Sequence, residues 1–154
     1  MKWVVNGRCS EKDSNYILNS ASGELMTIKY TNVDHTVRIN SPKKINRKYF
    51  QEKYGWLKPG LIFKNEYGVA IGKLALSLWS RESGSVELYQ QRFFYNIKRI
   101  GSKIGLTVFN NKKLKICETE ISNEVLPHKS LKSPEEFSGI LLSICWFITE
   151  NANS

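Results

Sequence analysis

Apolar and polar residues alternate in short runs along most of the chain, the period-two signature of strands with one buried face. Tyr16-Ile17-Leu18 passes through Asn19-Ser20-Ala21-Ser22-Gly23 into Leu25-Met26-Thr27-Ile28-Lys29-Tyr30, which reads as strand, reversal, strand. Gly23 supplies the positive φ of the turn. Thr36-Val37-Arg38-Ile39 and Leu61-Ile62-Phe63 read as further strands, and Leu74, Leu76 and Leu78 alternate with Lys73, Ala75 and Ser77. Val86-Glu87-Leu88-Tyr89 follows the Ser83-Gly84-Ser85 turn, and Phe93-Phe94-Tyr95-Asn96-Ile97 precedes a reversal flanked by Gly101 and Gly105. Leu106-Thr107-Val108-Phe109 and Leu114-Lys115-Ile116 form a hairpin across Asn110-Asn111-Lys112-Lys113, because Asn tolerates left-handed backbone. Turn-punctuated strands at this spacing predict a mainly β fold, an antiparallel barrel or a sandwich.

Two segments break the alternation. Ser41 and Pro42 fit the N-cap and first helical position, Gly55 fits a helix end, and Ile45, Tyr49 and Phe50 supply a modest apolar face. This predicts a short helix over 42–54, with an ordered loop as the alternative. The second segment is stronger. Ser133-Pro134-Glu135-Glu136 carries the elements of a capping box, and Phe137, Ile140, Leu141, Leu142, Ile144, Cys145, Trp146, Phe147 and Ile148 follow. Three successive residues span about 200° of a helix, so this helix, expected over 133–150, is apolar on every side. Such a helix must be enclosed, and in a strand-rich chain the wall is a β-sheet wrapped around it. Its apolar run, 139–148, is roughly 15 Å long against a hydrocarbon core of about 30 Å, too short to span a membrane. A dimerisation helix or an interfacial anchor is the rival reading, but an anchor needs a Lys- or Arg-rich face, and none lies between 134 and 154.

The strand meander and Ser133-Pro134-Glu135-Glu136-Phe137-Ser138-Gly139-Ile140-Leu141-Leu142-Ser143 resemble the tubby-type C-terminal domain group, which includes the LURP-one and phospholipid-scramblase relatives. The resemblance implies a closed β-barrel with an apolar C-terminal helix through its centre. It also implies a role in binding phosphoinositides or at membranes, though no phosphate-binding position carries over to a residue of this chain. With 154 residues, the chain is short for the family's twelve strands.

Size and charge narrow the function. One domain accounts for the length, with a strand-rich body over 1–121 and the helix after it. Cys9, Cys117 and Cys145 are odd in number and widely spaced, as in reduced thiols of a cytoplasmic protein, and residues 1–8 do not read as a secretory signal. The net charge of +9 divides as +6 over residues 1–60, +7 over 61–117 and −4 over 118–154. The body therefore favours anionic partners: lipid head groups, nucleic acid or an acidic protein surface.

No catalytic group, metal site or cofactor is expected. His35 and His128 lie far apart and no Cys-x-x-Cys occurs; Cys9 has Arg8 beside it but no base; Glu66, Glu82 and Glu87 sit near turns without a coupled partner. The anion-binding candidates are Lys43, Lys44, Arg47 and Lys48, then Lys98, Arg99 and Lys103, then Lys112, Lys113 and Lys115. The first group, at the start of the expected helix, would add free amides and the helix dipole to four cations. The ordinary role of a charge run is a solvated face. Phe93, Phe94 and Tyr95 could stack on unpaired bases, but in a strand alternate members must point inward. Three functions follow: a non-enzymatic module for phosphate-bearing anions, with lipid head groups and peripheral membrane contact foremost; single-stranded nucleic-acid binding; or a protein-interaction scaffold. The oligomeric state is not set by the sequence.

Overall fold

The computed structural model describes residues 1–9, 12–55, 57, 60–75, 82–122 and 134–152. Eleven strands lie among them: β1 (Lys2–Cys9), β2 (Asp13–Ser20), β3 (Gly23–Thr31), β4 (Thr36–Asn40), β5 (Asn46–Tyr54), β6 (Gly60–Lys64), β7 (Ala70–Ala75), β8 (Ser83–Leu88), β9 (Gln91–Ile100), β10 (Lys103–Phe109) and β11 (Lys115–Ser122). One helix, α1 (Pro134–Ala152), follows. Each strand pairs antiparallel with the next, and β1 closes on β11 to make a barrel. A meander of odd strand number brings its first and last strands round in the same direction, so the closing pair is parallel, from Lys2 opposite Glu118 to Val5 opposite Ile121. The expected β-barrel enclosing one apolar C-terminal helix is the fold observed.

Period-two burial builds the wall. In β2, Ser14, Tyr16 and Leu18 are buried while Asn15 and Ile17 face outward; in β9, Phe93, Tyr95 and Ile97 are buried while Arg92, Asn96 and Lys98 are exposed. Apolar inside and polar outside is the inverse of the pattern of a lipid-embedded barrel. No described helix is long and apolar enough to cross a membrane.

The helix fills the interior. Ile140, Leu141, Leu142, Ile144 and Cys145 are 0% exposed. Burying large apolar side chains of this kind contributes about 1.5–3 kcal/mol each before entropy is subtracted. Two buried hydroxyls on the helix are satisfied locally: Ser143 Oγ donates to the Gly139 carbonyl and Thr149 Oγ1 to that of Cys145, both at 2.8 Å. Gly139 sits where a Cβ would come within 3.1 Å of Val37 Cγ2, so a side chain there fits only if Val37 of β4 gives by a few tenths of an ångström. Trp3 meets the Phe147 ring edge-to-face at 5.2 Å, and Tyr95 meets Phe137 at 6.2 Å, which ties the helix to β1 and β9.

The short helix expected over 42–54 is not formed. Residues 46–54 are strand β5, and 41–45 form a tight reversal in which the Lys44 N–H donates to the Ser41 carbonyl (3.0 Å) and the Ser41 N–H to that of Ile45 (2.9 Å). Pro42, with φ preset near −65°, serves a turn as well as it serves a helix start. Tyr49 and Gln51 point inward at alternate positions, so period two outweighs the i, i+4 reading of Ile45 and Tyr49. Strand β1 adds a second element beyond the expected set. Tyr89, expected at a strand end, instead forms a two-residue turn with Gln90, at φ 48° and 66°. Its hydroxyl meets that of buried Tyr49 at 3.0 Å, and burial, followed by this hydrogen bond, raises the Tyr49 hydroxyl well above its ordinary pKa. The Ser133 and Glu136 capping box and the alternation at Leu76 and Leu78 lie outside the described residues or side chains.

Three reversals share one geometry. Asn65–Val69 and Asn110–Leu114 repeat the two backbone bonds of Ser41–Ile45, and in both the leading Asn Oδ1 also accepts two backbone N–H groups. The fourth residue is left-handed in all three: Gly68 at φ 75°, but Lys44 and Lys113 at 60°. A side chain in that region costs about 1–2 kcal/mol, of which a glycine returns part as unfolded-state entropy. Lys113→Gly is therefore expected to stabilise the protein by about 0.5–1 kcal/mol in denaturant unfolding. A loss of stability would contradict the strain.

Candidate anion-binding face

The β4–β5 reversal fixes register as well as direction. With Asn40 opposite Asn46, Arg38 falls opposite Lys48; with Thr31 opposite Thr36, Lys29 falls opposite Arg38. Lys29, Arg38 and Lys48 therefore stand in one row across three adjacent strands, all on the outer face. At about 4.8 Å between strands, the three backbones lie within roughly 10 Å. The next outward row toward the hairpin is Thr27, Asn40 and Asn46, and the tip beyond it carries Lys43 and Lys44. Neither row holds a carboxylate.

Like charges directly opposite each other cost a few tenths to about 1 kcal/mol per contact. Two partners relieve part of this: Lys29 Nζ lies 3.4 Å from Asp13, and Lys48 Nζ lies 4.8 Å from the centre of the Phe50 ring. Among the described residues Arg38 and Lys48 have no carboxylate partner. Elsewhere the barrel surface interleaves its charges. Glu87 stands between Arg92 and Lys73 in their row, Lys103 reaches Glu120 at 2.7 Å, and Lys115 reaches Glu118 at 3.5 Å. The hydrogen bond from Lys103 holds the Glu120 carboxyl below the usual carboxylate range.

The ten cations singled out in the sequence fall into separate places. Lys43, Lys44 and Lys48 belong to the face just described. Arg47 neighbours Lys48 in sequence but stands opposite Ile39, on the inward side at the barrel mouth, where it and Glu150 both act on the Tyr49 hydroxyl. Lys112 and Lys113 occupy the β10–β11 hairpin at the same end of the barrel, across the ring from β4–β5. Lys98, Arg99 and Lys103 lie by the β9–β10 turn at the other end. Lys29 and Arg38 were not singled out; each is a lone outward cation in its own strand, and only register unites them with Lys48.

The aromatic set narrows similarly. Phe93 and Tyr95 are buried, and Phe94 alone faces out, opposite Phe109 in a shallow groove that Lys113 also lines. The Cys117 and Cys145 thiols are buried, and burial raises both above the ordinary thiol range. Among the described residues no group of three or more His, Cys, Asp or Glu side chains gathers. No family model, curated protein or solved structure matches the chain.

Proposed function

We propose that this chain is a non-enzymatic binding module for phosphate-bearing anions, lipid head groups foremost, held on the outer face of β3, β4 and β5. The observation that carries the reading is the cross-strand row of Lys29, Arg38 and Lys48, flanked by uncharged Thr27, Asn40 and Asn46. Arg38 offers a planar fork suited to two phosphate oxygens, and the lysines act as mobile point charges to either side. A head group with more than one phosphate spans the row. A closed barrel around an apolar helix supports kinship with the tubby-type domains, and with it a peripheral role at a membrane surface. The reading includes a cytoplasmic location, in keeping with the free thiols of Cys117 and Cys145.

Sedimentation with vesicles tests it directly. Vesicles of phosphatidylcholine doped with phosphatidylinositol bisphosphate are expected to pellet the protein, less so as salt is raised. Equal, negligible pelleting with and without the charged lipid removes the proposal. Retention by a single-stranded oligonucleotide but not by the vesicles would transfer the site to nucleic acid.

A further inference from the structure

A cavity of about 290 Å³ opens at the barrel mouth where the C-terminal end of α1 emerges, between the start of β3 and the β4–β5 reversal. Leu25, Pro42, Ile45, Trp146 and Phe147 make its wall mostly apolar. Two further atoms of the lining residues stand out: the Trp146 Nε1–H and the Ser41 hydroxyl are buried and have no hydrogen-bond partner. A buried polar hydrogen without an acceptor is costly and uncommon, and both of these belong to residues that line one cavity, where a small shift of the wall would open them to an oxygen that the protein does not supply.

We infer that this cavity binds a small uncharged amphiphile, an aliphatic body with one carbonyl oxygen. The apolar wall takes the body, and the oxygen accepts from Trp146 and Ser41. A formal charge gains little there. Lys43 at the lining would favour an anion, but Glu24 and Glu150 line the same space, and the last carbonyls of α1 place the negative end of the helix dipole beside it. No basic residue of the helix's own last turn offsets that end. The site is distinct from the outer cation row, although both draw on β3 and the β4–β5 hairpin.

The probe is 2-octanone, compared with octanoate and octylammonium, all read by ¹H–¹⁵N spectra of the indole groups, with the Trp146 signal assigned by Trp146→Phe. The expected result is a saturable downfield shift of the Trp146 indole proton with the ketone, and at most a weak response to either ion. Ser41→Ala is expected to weaken ketone binding several-fold while leaving the protein at least as stable, since it removes an unserved hydroxyl. Arg38→Thr should leave ketone binding unchanged, which separates this site from the phosphate face. No saturable shift with the ketone, or an equal or larger response to octanoate or octylammonium, overturns the inference.

Discussion

A Leu142→Asp variant is expected to be recovered only as insoluble or unfolded chain. Leu142 is 0% exposed at the middle of a helix that has strands on every side. An aspartate there either keeps its charge without a partner or takes up a proton and remains a polar group in an apolar interior. Either outcome costs several kcal/mol beyond the lost leucine packing, against a typical net stability of roughly 5–15 kcal/mol. Leu142→Met, which keeps the volume, should cost less than about 1.5 kcal/mol and fold normally. Circular dichroism and thermal melting of the two variants decide the matter. A cooperative Leu142→Asp transition at the wild-type temperature would mean that the helix is not enclosed.

The second large effect divides stability from binding. Arg38→Thr is expected to lower affinity for phosphoinositide vesicles by about 10- to 100-fold, the loss of one charge-assisted interaction of roughly 1.5–3 kcal/mol. The same substitution relieves repulsion from Lys29 and Lys48, which flank Arg38 in register, and places a good strand former on the outer face. Its unfolding free energy should therefore hold or rise, by up to about 1 kcal/mol. Vesicle titration and denaturant unfolding on the same preparation read both quantities. Unchanged vesicle binding would leave the cation row without a role in recognition.

Local pattern made most of the wall legible. Alternation marks β2, β3, β9 and β10 plainly, and the all-round apolarity of 137–148 demands enclosure before any coordinate is known. What stayed hidden was set by partners distant in sequence. The segment Ile45 to Tyr54 carries helical and strand cues together, and pairing with β4 and β6 decides between them. Tyr89 and Gln90 form a turn that ordinarily asks for Asn and Gly, and there the Tyr89 hydroxyl meets that of Tyr49, far away in sequence. The binding face was half visible. Lys43, Lys44 and Lys48 stand out as a run, but Arg47 beside them takes the other side of the strand in register, exposed at the barrel mouth, and Lys29 and Arg38 join only through register. A linear cluster of charge is a poor guide on a pleated surface, where neighbours in sequence occupy opposite sides.

The parallel seam between β1 and β11 constrains how the molecule is assembled. The two strands that meet there are separated by the other nine, so the ring stays open until the eleventh strand is in hand, and contacts this remote form slowly. The helix that occupies the bore comes later still in the chain. A sheet curled without it would present a greasy trough to solvent, and a sheet sealed without it would exclude it. Closure of the seam is therefore expected to be coupled to docking of the helix, and any chain caught partly curled would be the form most exposed to aggregation.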